Sequence, residues 1–187
     1  VTEDADLGMR LHREGYRTAI LDSTTLEEAN SDLGNWIRQR SRWSKGHIQT
    51  WLVHMRTPWQ LLRQTGLKGF VSFNLTMGAA FVLLLNPIFW ALTTAYALTQ
   101  WGLVEQVFPG VVYYAAALML LVGNMVFVYL NVAGSLQRGD FGLTRTALLS
   151  PLYWGLMSLA AWRGFLQLFT NPFYWEKTEH GLDEGRP

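Results

Sequence analysis

Cysteine is absent from this chain, which excludes a disulfide framework and any thiolate metal site. Charge is scarce over most of its length: between residues 69 and 169 only Glu105, Arg138, Asp140, Arg145 and Arg163 carry any. Residues 1–68, by contrast, are rich in Arg, Lys, Asp and Glu. The formal net charge of +1 averages two unlike halves and excludes a polybasic nucleic-acid binder. What remains is a small basic cluster of Arg38, Arg40, Arg42 and Lys45. Internal repeats and low-complexity stretches are also missing.

What is present is apolar and aromatic. Half the residues are hydrophobic, with nine Trp, ten Phe and seven Tyr. The charge boundary divides the chain into a polar part (1–68), an apolar part (69–170) and a short polar tail (171–187). In the polar part, Thr2 is placed to cap a helix whose first turn holds Glu3, Asp4 and Asp6, where carboxylates suit the helix dipole. Gly15 is its natural stop, and residues 16–21 read as a short strand. Helix then strand, without room for a sheet, predicts the tail of an α/β domain followed by mainly α membrane helices. Asn35 is placed to cap a second helix over residues 36–54, on which Gln39, Arg42, Trp43 and Gly46 share one face. Its Trp and basic residues suit a membrane–water boundary. Residues 57–68 read as an interfacial turn or short helix broken at Pro58 and Gly66.

Two crossings are expected, one within residues 69–98 and kinked at Asn86-Pro87, the other at 111–133. Arg56, Arg63 and Lys68 precede the first, while Arg138 and Arg145 follow the second, which puts both flanks on the cytoplasmic side of an integral membrane protein. A third apolar run, 147–169, holds Pro151 and Arg163, and an interfacial or re-entrant segment is favoured over a third crossing.

Two motifs carry chemistry. Thr2-Glu3-Asp4 offers a carboxylate at a helix tip, as a general base for a hydroxyl nucleophile would require. Gln39-Arg40-Ser41-Arg42-Trp43 offers an arginine fork suited to diphosphate oxygens and an indole on which a sugar's C–H face can rest. Taken singly, the first is a common helix start and the second a common interfacial anchor. Their order and position ahead of apolar helices make the pair specific.

The stretch from Val1 to about Met55 resembles membrane-embedded family 2 glycosyltransferases, the group of the cellulose, chitin and hyaluronan synthases, on these two motifs. The resemblance implies a GT-A nucleotide-sugar domain, of which this chain would be the C-terminal part. It also implies inverting transfer from a nucleotide sugar (UDP-glucose or UDP-N-acetylglucosamine) to a growing β-linked polysaccharide at the cytosolic face of a bacterial inner membrane. Asp4 would be the base, with Thr2 and Glu3 beside it. Gln39, Arg40, Arg42 and Trp43 would line the diphosphate and acceptor sites. A divalent metal, Mg2+ or Mn2+, would be held by motifs upstream of Val1, so the chain alone is expected to be inactive. Trp175, Lys177 and Thr178 are similar in kind to the lid of processive members, against a plain juxtamembrane anchor. The alternatives are transfer of one sugar to a lipid acceptor, or a non-enzymatic transport or scaffold subunit. His12, His47, His54 and His180 have no metal spacing and read as interfacial helix residues. Asn74, Asn86, Asn124 and Asn131 are expected to hydrogen-bond between helices.

Overall fold

The computed structural model describes residues 2–19, 21–23, 25, 27, 29–99, 102, 106, 110–174 and 177. It is 80% helical, and no strand occurs among the described residues. The expected α/β, GT-A-type tail is thereby corrected. Residues 16–19 and 21–23 have no regular structure. A strand's backbone groups need a partner strand, and none is found among the described residues. Tyr16 and Leu21, at its two ends, are 64% and 81% exposed.

The elements are α1 (Glu3–Arg13), α2 (Leu33–His54), α3 (Pro58–Met77), α4 (Ala79–Thr99), α5 (Gly110–Leu118), a π-helical turn (Met119–Gly123), α6 (Asn124–Gln137), α7 (Leu143–Ala147) and α8 (Ser150–Thr170). Helix α1 has acidic residues in its first turn and Arg10, His12 and Arg13 in its last, matching the dipole at both ends. It stops at Gly15, whose φ of 85° lets Tyr16 N donate to Leu11 O at 3.0 Å. Helix α2 starts earlier than the sequence indicates. Its cap is Asp32, whose carboxylate accepts from Asn35 N at 2.6 Å, while Asn35 itself is buried inside the first turn. Pro58 opens α3 rather than breaking it, because proline's missing N–H costs nothing at the first position. Gly66, at φ 68° and ψ 174°, does interrupt that helix. The crossing expected within 69–98 is divided as well: α3 ends at Met77, and α4 begins at Ala79.

The chain forms two compact units. The first comprises residues 1–82 and 159–187. Its largest fully buried side chains are Lys45, Ile48, Leu61, His54, Asn35 and Ser41, so this core rests on polar pairing as much as on hydrocarbon. Trp51 Nε1 donates to Asn74 Oδ1 at 3.0 Å and tethers α2 to α3, with Phe81 edge-on to the same indole at 4.9 Å. Gly164 of α8 lies directly on the α2 backbone at Ser41 and Lys45. The preceding Ala160 and Ala161 are fully buried.

The second unit comprises residues 83–158. Here Tyr96 meets Tyr113 edge-on at 4.6 Å, Phe127 meets Trp154 at 5.0 Å, and Asn131 Nδ2 donates to Ser150 Oγ at 3.0 Å. Asn74 and Asn131 thus bond between helices as expected, whereas Asn124 turns back to Leu120 O of its own helical run. Ala79–Thr99 and Gly110–Gln137 are long and apolar enough to cross a membrane, and only 11% and 6% of their most apolar windows are buried in the chain. Helix α8 covers the third apolar run from Ser150 onward and is not one of these two.

Candidate active site

The acidic motif docks on the helix that carries the second motif, and a glycine makes the contact possible. Thr2 is buried at the start of α1, and its Oγ1 lies 3.1 Å from Thr50 Oγ1. Its methyl occupies the space beside Gly46, where an added Cβ would stand 2.6 Å from Thr2 Cγ2. Thr2 sits at the N-cap position but makes no side-chain cap bond; its hydroxyl is used for docking. Gly46 lies one turn beyond Trp43 and Thr50 a further turn along, so the contact continues the face that holds Gln39, Arg42 and Trp43.

Two residues on from Thr2, Asp4 is exposed, with Oδ1 accepting from Ala5 N at 2.8 Å. Glu3 is exposed as well. The Asp4 carboxylate acts on His47, the residue after Gly46. Burial pushes the His47 imidazole below its ordinary value, and the nearby Asp4 charge opposes that shift without reversing it. His47 lies one turn along α2 from Trp43.

On α2, Gln39 and Arg42 are half-buried and Trp43 is 41% exposed. Arg40 stacks its guanidinium over the Trp43 ring at 4.3 Å and lies 5.7 Å from the Trp36 ring. Its Nε is buried and has no hydrogen-bond partner. The stack places the Arg40 guanidinium against one ring face of Trp43.

Several residues outside the motifs hold this arrangement together. His54 is 1% exposed rather than interfacial, and it bridges Asp6 and Arg13 of α1 at 2.8 and 3.1 Å. Burial alone would raise the Asp6 carboxyl, but hydrogen bonds from Arg10 and His54 outweigh it and hold the group below the usual value. The available signal was the spacing of Asp6, Arg10 and Arg13 along one side of α1. Lys45, also 1% exposed, donates from Nζ to Asn171 O at 2.6 Å and Tyr174 O at 3.1 Å. Gln49 Nε2 donates to Pro172 O at 3.1 Å, so residues 171–174 are strapped onto α2 just past the second motif. Of the expected lid residues, Lys177 is exposed, and Trp175 and Thr178 lie outside the described residues.

A groove of about 650 Å³ runs between α1 and α3, lined by Met9, His12, Lys68, Phe73 and Met77 among others. Among the described residues no three His, Asp or Glu side chains converge as a metal ion needs. These residues therefore do not fit the divalent ion that the resemblance implies.

No curated protein and no solved structure matches the chain. The family model described as glycosyl transferase family group 2 matches residues 1–166 and so takes in both motifs, α1 to α7 and most of α8. The chain belongs to that family of glycosyltransferases.

Proposed function

We propose that α1 and α2 form the acceptor and leaving-group wall of an inverting glycosyltransferase that uses a nucleotide sugar. The observation that carries this reading is the seating of Thr2 against Gly46 and Thr50, which ties the carboxylate motif to the helix bearing Arg42 and Trp43. Asp4 accepts the proton of an acceptor hydroxyl as that oxygen bonds to the anomeric carbon, and the bond to the nucleoside diphosphate breaks on the opposite side. Arg42 carries the negative charge that develops on the departing diphosphate, with a planar fork that lysine lacks. Trp43, 41% exposed, receives the acceptor sugar ring, with the Arg40 guanidinium stacked on its indole. Gln39 orients the groups beside Arg42.

The donor class is UDP-glucose or UDP-N-acetylglucosamine, and the acceptor is a growing β-linked polysaccharide. Helix α4 and the Gly110–Gln137 helix are the crossings, with Arg56, Arg63, Lys68, Arg138 and Arg145 on the cytoplasmic side. The strapping of residues 171–174 to Lys45 and Gln49 supports a tail that closes over this wall and keeps water from the activated donor. The test is transfer by the intact protein from each UDP-sugar, with product length resolved. A polymer whose yield collapses in Arg42→Lys, together with weaker inhibition by free UDP, is expected. A product one sugar long on a lipid would replace the polysaccharide acceptor, and UDP inhibition unaltered by Arg42→Lys would remove that arginine's role.

A further inference from the structure

The Asp6–His54–Arg13 bridge has no part in the proton or phosphate chemistry, yet it uses both nitrogens of a buried imidazole. His54 Nε2 lies 2.8 Å from Asp6 Oδ1, and Nδ1 lies 3.1 Å from Arg13 Nη1. Arginine has no acceptor, so Nδ1 accepts from it and the ring proton sits on Nε2, donating to Asp6. Each anchor is itself held. Arg10 Nε donates to Asp6 Oδ2 at 2.7 Å, Arg13 Nε donates to Gln64 Oε1 of α3 at 2.7 Å, and Phe73 of α3 packs edge-on against the imidazole at 5.4 Å. Asp6 and Arg13 lie two turns apart on α1, so one ring grips that helix at two heights. A single contact would let α1 pivot; two contacts fix its rotation and its slide along α2. Asp4 sits midway between Thr2, tied to Thr50, and Asp6, tied to His54.

We propose that His54 is a positioning residue: it clamps α1 on α2 and so sets the separation between the Asp4 carboxylate and the Arg42–Trp43 wall. This rests on Asp4 acting as the base. The chain has no cysteine, so a pair introduced as Thr2→Cys and Thr50→Cys reports the docking of α1 without any activity being needed. Adding His54→Asn, which cannot reach Asp6, is expected to slow disulfide formation under mild oxidation. In the otherwise native intact protein, His54→Asn is expected to lower kcat by about tenfold to a hundredfold, as a misplaced catalytic group does, while donor KM stays at its parental value. His54→Gln still presents an N–H toward Asp6 and recovers part of that loss. If His54→Asn does not accumulate, Asp6→Ala at the partly exposed end of the bridge gives the same pair of readouts. Unchanged cross-linking, unchanged kcat, or a parallel loss of donor affinity each overturns the clamp. Cross-linking that slows while Asp4→Asn keeps full activity would retain the contact and overturn the base assignment instead.

Discussion

At the scale of single residues the account turns on very small side chains. Gly46 leaves room for the Thr2 methyl, and Gly46→Val would force Thr2 off α2. The expected cost is about 1–3 kcal/mol, as for other overpacked sites, read as a lower unfolding temperature, with transfer activity lost in greater proportion than folded protein. Asp6 has a depressed folded pKa, so its contribution to stability is full above its ordinary value of 3.8 and is lost as pH falls through the lower folded value. His47 is depressed as well. Folding disfavours its charged form, so stability is full above 6.5 and declines as pH falls from there through the folded value. Unfolding curves between pH 7 and pH 5 should show a decline that His47→Gln removes, and an undiminished decline in that variant would rule His47 out as its source. The order of the two motifs was legible in the sequence, as was the shared face of Gln39, Arg42, Trp43 and Gly46. The use of Gly46 as a seat for Thr2 was not, because a contact between positions 2 and 46 leaves no local periodicity. His54 was misread for the same reason: its partners, Asp6 and Arg13, lie on another helix.

Among the elements, ends and breaks were more legible than pairings. The stop at Gly15 and the interruption at Gly66 follow from local backbone preference, which any chain with these residues would share. The strand over residues 16–21 was a failure of the opposite kind. A short stretch between turn residues forms a strand only when a neighbouring strand accepts its hydrogen bonds. Helix α8 gives a direct test of close packing, because it carries two glycines in different settings. Gly164 lies on the Ser41 carbonyl, whereas a Cβ at Gly155 would meet nothing within 4 Å. Gly164→Ala is therefore expected to destabilise by about 1–3 kcal/mol through steric conflict. Gly155→Ala should instead stabilise by about 0.5–1 kcal/mol through helix propensity. Thermal unfolding of the two variants should shift in opposite directions. Shifts of the same sign would argue against α8 lying on α2.

For the whole molecule, the apolar helices set the environment. Ala79–Thr99 and Gly110–Gln137 bury so little of themselves in the chain that water would face a long hydrocarbon surface on each. The intact protein is expected to stay with the membrane through alkaline carbonate extraction and to need detergent for release. The charge distribution adds a direction: a cysteine placed at Gly139 should react with an impermeant thiol reagent only from the cytoplasmic side, and labelling from outside would reverse the topology. The two long apolar helices were visible in the sequence as a fall in charge density after residue 68. The partition of the backbone was not, since the boundary between the compact units falls inside α4 and again inside α8, where hydropathy does not change.

In the proposed reaction α1 presents a base to an acceptor held by α2. The most direct measurement is single-turnover transfer by the intact protein carrying Asp4→Asn, with donor affinity determined in parallel. A rate lower by about 10²–10⁴-fold, the usual contribution of a general base, is expected, with donor affinity retained. Transfer at the parental rate would contradict it.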